Sequence, residues 1–273
     1  MSEAEGMDTH SGTTGPMPVV FVGHGSPMNA VEDNTWSRAF VDLGRSLPRP
    51  AAILSVSAHW YVDGTFLTAD ARPGTIHDFG GFPRALREVQ YPAPGPVDLA
   101  RQVQALLAER GAALSTQWGL DHGTWSVLKW MFPAADVPVV QLSIDRRLAP
   151  RQHLELARSL QDLRHQGVLV MGSGNVVHNL SDAFGRMRTG ATDTPDWARR
   201  FDRTVAEALL AGDAAALVDL RERDRDGELA HPTADHWLPL IYALGAGTRD
   251  SRVRFAGEGF DLGSLSMRNV VWG

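Results

Sequence analysis

Residues 18–27 read PVVFVGHGSP: an apolar run that stops at a glycine, presents His24 and turns away through Gly25 and Pro27. A short apolar run that is continuous rather than alternating suits a parallel strand covered on both faces. The pattern returns twice. Ala51–Ser57 runs on to His59 in SAHW, and Val168–Gly172 leads through a Gly-Ser-Gly-Asn turn to His178. Val137–Ser143 is a fourth run of the same kind. Between the runs the period changes to that of helices. Leu99, Ala100, Val103, Leu106 and Leu107 share a face within 97–107, with Gly111 as a stop. Leu156, Leu160 and Leu163 mark a second helix, and Trp197, Phe201, Val205 and Leu209 a third. Strand and helix in alternation predict an α/β fold: a single domain with a central, mainly parallel or mixed sheet flanked by helices. Open sheets of this type bind ligands beyond the carboxyl ends of their strands, so His24, His59 and His178 converge on one edge.

Three further histidines sit in comparable settings: His77 in IHDFGGFP, His122 in GLDHGTW and His236 in HPTADHW. Neutral imidazole is a common ligand for zinc and iron and titrates near neutrality. Taken singly, each has a plain alternative as a turn residue or a hydrogen-bonded core histidine; repeated delivery to strand ends points to a metalloenzyme. Thr233 reads as the N-cap of a helix carrying Trp237, Leu240, Ile241 and Leu244, which puts His236 in its first turn, with Pro239 awkward there. His231 and His236 are five apart and do not share a helix face, while His153 and His165 read as solvated positions on an amphipathic helix. Asp121 beside His122 is a candidate to orient that ring.

Composition narrows the rest. The chain has 273 residues, a formal net charge of −6 and no cysteine, which removes thiolate zinc sites, disulfides and a Cys nucleophile. The acidic balance argues against a nucleic-acid partner, and no apolar run approaches the roughly 20 residues of a membrane span. Residues 1–16 are polar and Gly/Thr-rich; they read as a disordered tail, without a signal peptide's apolar segment, and His10 within them receives no role. Residues 17–273 form the one predicted domain, and the cytoplasm is the expected location. The acidic and basic stretch Asp219–Glu228 reads as a solvated helix end and loop. No dinucleotide fingerprint, Walker motif or nucleophile elbow occurs.

In order along the chain, GHGSPMNA, SAHW, TIHDFGGFP, YPAPG, GLDHGTW, PVVQLSID, GSGNVVHNL and GFDLGSLSMR resemble the DODA-type extradiol ring-opening dioxygenases. These belong to the class III, LigB-like family. The likeness runs from about Met17 to the C-terminus. It implies a mononuclear non-haem Fe(II), a catechol substrate such as L-DOPA, O₂ as co-substrate and ring cleavage beside the hydroxyl pair. Matched block by block, His24, His59 and His236 are the implied metal ligands. His178 is a fourth, weaker ligand or an acid–base group, and His122 an acid–base residue facing the substrate. His77, Asp78, Phe79 and Phe82 are read either as pocket wall or as a rigid loop beside the sheet. Ser266, Met267 and Arg268 read as strand and packing residues, with Arg268 available to a substrate carboxylate if buried.

A ligand set made only of imidazole also suits zinc, and Zn²⁺ binds such ligands more tightly than Fe²⁺. Zinc is therefore expected to occupy the site in purified protein. The competing functional reading is a hydrolase using zinc hydroxide on three histidines; a third is a non-catalytic relative, against which the retention of His122 and His178 weighs. The sequence leaves the oligomeric state open.

Overall fold

The computed structural model describes residues 15–248 and 251–273; the tail reading for residues 1–14 lies outside them. Ten strands are present among these residues: β1 (Val19–Gly23), β2 (Ala52–Val62), β3 (Phe66–Thr68), β4 (Ala113–Ser115), β5 (Val139–Asp145), β6 (Val168–Gly174), β7 (Val253–Gly257), β8 (Phe260–Asp261), β9 (Leu265–Ser266) and β10 (Asn269–Trp272). Eight make one sheet in the order β4-β3-β5-β2-β6-β1-β10-β7, and β8 pairs with β9 apart from it. The four apolar runs are its centre, β5-β2-β6-β1, all parallel. The edges turn antiparallel where β3 meets β5 and where β10 and β7 follow β1. The sheet is mixed.

Alternate residues of the central strands feed two cores, as the two-residue period of a strand requires. Val20, Val22, Ile53, Val139 and Met171 pack beneath the helices Thr35–Ser46 and His122–Met131. Val19, Phe21 and Val170 face the opposite way, onto Asp196–Leu210 and Leu238–Ala246. The first of these helices buries Phe201, Val205 and Leu209, the stripe expected from the sequence.

Four local expectations need correction. His153 is fully buried rather than solvated, its Nδ1 3.0 Å from the Tyr242 hydroxyl; His165 is exposed as expected. The helix anticipated through Leu156, Leu160 and Leu163 ends at Arg158 and continues as a 3-10 segment over Gln161–Gln166. Thr233 caps nothing: the last helix starts at Leu238, after His236, and Pro239 sits in its first turn, where its missing N–H costs no hydrogen bond. The stretch 219–228 is not wholly solvated either, because Asp226 is buried and paired with Arg200 at 2.9 Å.

Candidate metal centre

Three neighbouring parallel strands bring their histidines to the same end of the sheet. Gly23 lies in register with Gly174, and Ser57 with Ser173, so β1, β6 and the part of β2 that pairs with β6 finish level. His24 follows β1 at once. The next residue, Gly25, has φ +62°, and a side chain there would strike Met267, so only glycine turns the chain away this tightly. His59 arrives by a different device. β2 does not end at Ser57 but continues to Val62, and its pairing with β5 slips between Val56 and Tyr61. His59 rides on that bulge, a common way of re-aiming a side chain beside a site.

The imidazoles of His24, His59, His122 and His236 form one cluster. The Nε2 atoms of His24 and His59 are 3.2 Å apart. Ring centroids of His59 lie 3.8 Å from His122 and 5.1 Å from His236, and those of His24 lie 5.2 Å from His236. The tightest set of donor atoms is that of His24, His59 and His122, all within 4.8 Å of one another. His178 stacks parallel on His236 at 3.4 Å, so its ring runs alongside the cluster.

Behind each of four rings stands an oxygen. The Nδ1 of His24 is 3.0 Å from Ser173 Oγ, itself donating to the Gly123 carbonyl at 2.5 Å. Asp78 serves two rings: Oδ2 lies 3.2 Å from His59 Nδ1, and Oδ1 lies 2.9 Å from His122 Nδ1 while accepting the His122 backbone N–H at 3.0 Å. Asp235 Oδ2 lies 2.8 Å from His236 Nδ1. An oxygen at Nδ1 holds the proton there and turns a bare Nε2 inward, the tautomer a metal ligand needs. The Nε2 of His236 is buried with no hydrogen-bond partner among the described residues. A buried polar atom left unpaired is costly, and an electrophile in the cluster would satisfy it.

Electrostatics favour neutral rings. Burial, reinforced by neighbouring imidazoles, pushes the pKa of His24, His59 and His178 well below the ordinary histidine value. Burial pushes the Asp78 carboxyl up, but the hydrogen bond and charge of His122 and the charge of His59 outweigh it and hold the group near 2. Asp121 is opposite in behaviour. Burial and the Asp78 charge raise it to about 6. Its carboxylate is engaged elsewhere, capping the helix at Thr124 and accepting the Ser57 hydroxyl at 2.6 Å. The residue that orients His122 is Asp78, 44 positions earlier in the chain.

A cavity of about 470 Å³ opens on the cluster, lined by His24, His59, His122, His178 and His236 at one end and by apolar walls that include Phe79, Phe82 and Phe184. Phe79 stands edge-on to His122 at 5.4 Å. His77 is not on this wall; its Nε2 is 3.0 Å from the Val89 carbonyl. Arg268 is buried but committed, to Asp202 at 2.5 Å and Glu258 at 2.9 Å, and does not line the cavity. Ser173 and Asp235 escaped sequence reasoning, as did the orienting role of Asp78. An Asp-His pair marks residues 235–236, but the same pair at 121–122 is misleading.

Residues 16–271 match the family described as the catalytic LigB subunit of aromatic ring-opening dioxygenase. The chain is 45% identical to the 4,5-DOPA dioxygenase extradiol of Escherichia coli K12, covering 94% of this chain and 95% of that one. It is 36% identical to the protein of the same name from Beta vulgaris, covering 90% and 92%. Among solved structures, an uncharacterized protein of Escherichia coli K12 superposes with a TM-score of 0.80 at 40% identity, covering 94% of this chain and all of that one.

Proposed function

The chain belongs to the LigB family of aromatic ring-opening dioxygenases, and from that premise we propose that it is an Fe(II) enzyme cleaving a catechol ring outside the diol, with L-DOPA as lead substrate and O₂ consumed. The observation that carries the reading is the backed cluster: His24, His59 and His236 each have Nδ1 held by Ser173, Asp78 or Asp235. We assign these three as the metal ligands. The buried, unpaired Nε2 of His236 supports including it beside the more compact His24–His59–His122 group. The donor set fits a divalent borderline metal. Bound there, Fe(II) would supply Lewis acidity toward the catechol oxygens and the redox change that O₂ chemistry needs.

The remaining steps fall to the protein. With the Asp78 carboxylate 2.9 Å from Nδ1 of His122, we assign Nε2 of that ring as the proton-accepting atom, suited to take a hydroxyl proton from the substrate and return it later. His178 carries no such backing among the described residues; it lines the same cavity and is the second proton carrier, placed where it can also approach the metal. Phe79 and Phe82 wall the ring and exclude water. Among the described residues no helix is long and apolar enough to cross a membrane, and we place the enzyme in the cytoplasm with small-molecule partners only.

The test is O₂ uptake with absorbance scanning on anaerobically Fe(II)-loaded protein, against a catechol panel including L-DOPA, beside a zinc-loaded sample. Iron-dependent uptake with a new yellow chromophore is expected. A zinc sample that hydrolyses esters or lactones, with no uptake by the iron form, would replace this reading by the zinc hydrolase, which the all-imidazole set also suits.

A further inference from the structure

The cavity wall carries carboxylates, and none of its described residues is Lys or Arg. Asp261 and Glu32 both line it. Asp261 is half-buried, and Glu32 is exposed at the rim. Neither has an ion-pair partner among the described residues, whereas most acids buried elsewhere in the chain do, as Asp202 does with Arg268 and Asp226 with Arg200. Among the described residues Asp261 is held by amides alone. The Asn29 side chain donates to Oδ2 at 3.4 Å and also to the His24 carbonyl at 3.4 Å, tying this carboxylate to the metal end.

Distance follows from the strands. Asp261 in β8 is paired with Leu265 in β9, and Leu265 bridges to His178. Two strand spacings put Asp261 and His178 roughly 10 Å apart between α-carbons. That is the scale of a dihydroxyphenyl ring with a short side chain, lying with its diol on the imidazoles. The unpaired Nε2 of His236 marks the diol end of the same cavity as a ligand-seeking surface.

We propose that this cavity selects catechols whose side chain ends in a cationic amine over those ending in a carboxylate, and that Asp261 is the residue that reads the charge. The proposal rests on the ring-opening reading for the orientation of the diol. A substrate ammonium gives Asp261 the cation it lacks; a carboxylate meets like charge from Asp261 and Glu32 with no guanidinium or ammonium to receive it. Burial raises the Asp261 pKa against the donors around it, as expected of a carboxyl without a cation. Glu32, being solvated, contributes less.

The experiment is calorimetric titration of zinc-loaded protein, which cannot turn over, with dopamine, 4-methylcatechol and 3-(3,4-dihydroxyphenyl)propionate. Dopamine should bind at least about tenfold more tightly than the propionate, with 4-methylcatechol between. Asp261→Asn should shrink the dopamine-to-propionate ratio about tenfold, and Glu32→Gln by less. Each ratio is taken within one preparation, so a partly folded variant still reports it. Equal or tighter binding of the propionate, or an unchanged ratio in Asp261→Asn, overturns the proposal. O₂ uptake on the iron form is scored separately: silence with every catechol removes the ring-opening reading while the binding order still decides selectivity.

Discussion

Asp78→Asn isolates the support beneath two imidazoles with one isosteric change. Oδ1 of the carboxylate accepts the His122 backbone N–H and lies 2.9 Å from the His122 Nδ1, and Oδ2 lies 3.2 Å from the His59 Nδ1. An asparagine has one acceptor oxygen, and the His122 backbone N–H will claim it. Its NH₂ then faces the N–H of His59, donor against donor. His59 must give up that contact or move its proton to Nε2, where it can no longer ligate. Removing the charged group that supports a ligand typically costs roughly 10- to 100-fold in metal affinity, and a loss on that scale is expected here. Competition with a chromogenic chelator at fixed pH measures this directly, and does so without turnover. An affinity within twofold of the parent would refute the argument that Asp78 sets the His59 tautomer.

His236→Ala should lose metal outright, while His122→Ala should retain it and lose turnover; full metal occupancy in the first, with loss in the second, would move the third ligand to His122. Arg268→Met strands the buried Asp202 carboxylate and should destabilise the fold by about 3–5 kcal/mol in urea titrations; unaltered stability would show that the pair is not holding that end of β10. His153, buried and held near 4 by desolvation, is neutral in the folded chain, while the unfolded chain takes up a proton below about 6.5. The unfolded state thus binds more protons between those values, so stability declines as pH falls from about 6.5 to 4, by up to about 3 kcal/mol from this residue. His153→Phe should flatten that part of the stability–pH curve, and an identical slope in both proteins would contradict it.

The central strands were legible because a doubly covered parallel strand has to be a continuous apolar run, and β1, β2, β5 and β6 are. Strands as short as β8 and β9, paired apart from the main sheet, leave no such signal. At the site, the histidines were visible as residue types, and their supports were not. Asp121 and Asp235 both precede a histidine, yet only Asp235 backs its neighbour. Asp121 is drawn off by a helix N-terminus whose free N–H groups compete for it, and Asp78 fills the vacancy from a distant loop. Capping and metal support call on the same side chain, and sequence adjacency cannot tell which prevails. His153 failed for a related reason: an amphipathic helix also has a buried face, and the Tyr242 hydroxyl satisfies the ring there.

The slip in β2 has a consequence for anyone transplanting or scanning for this centre. Five steps along β2, from Val56 to Tyr61, span the same length of sheet as two along β5. The position of His59 is thus set by a count of residues as much as by its identity. A homologue missing one residue between Val56 and Tyr61 would keep every histidine and pass any motif search, with one imidazole aimed elsewhere. Inventories of conserved letters would score it intact; spacing is the quantity that separates a working centre from a relic.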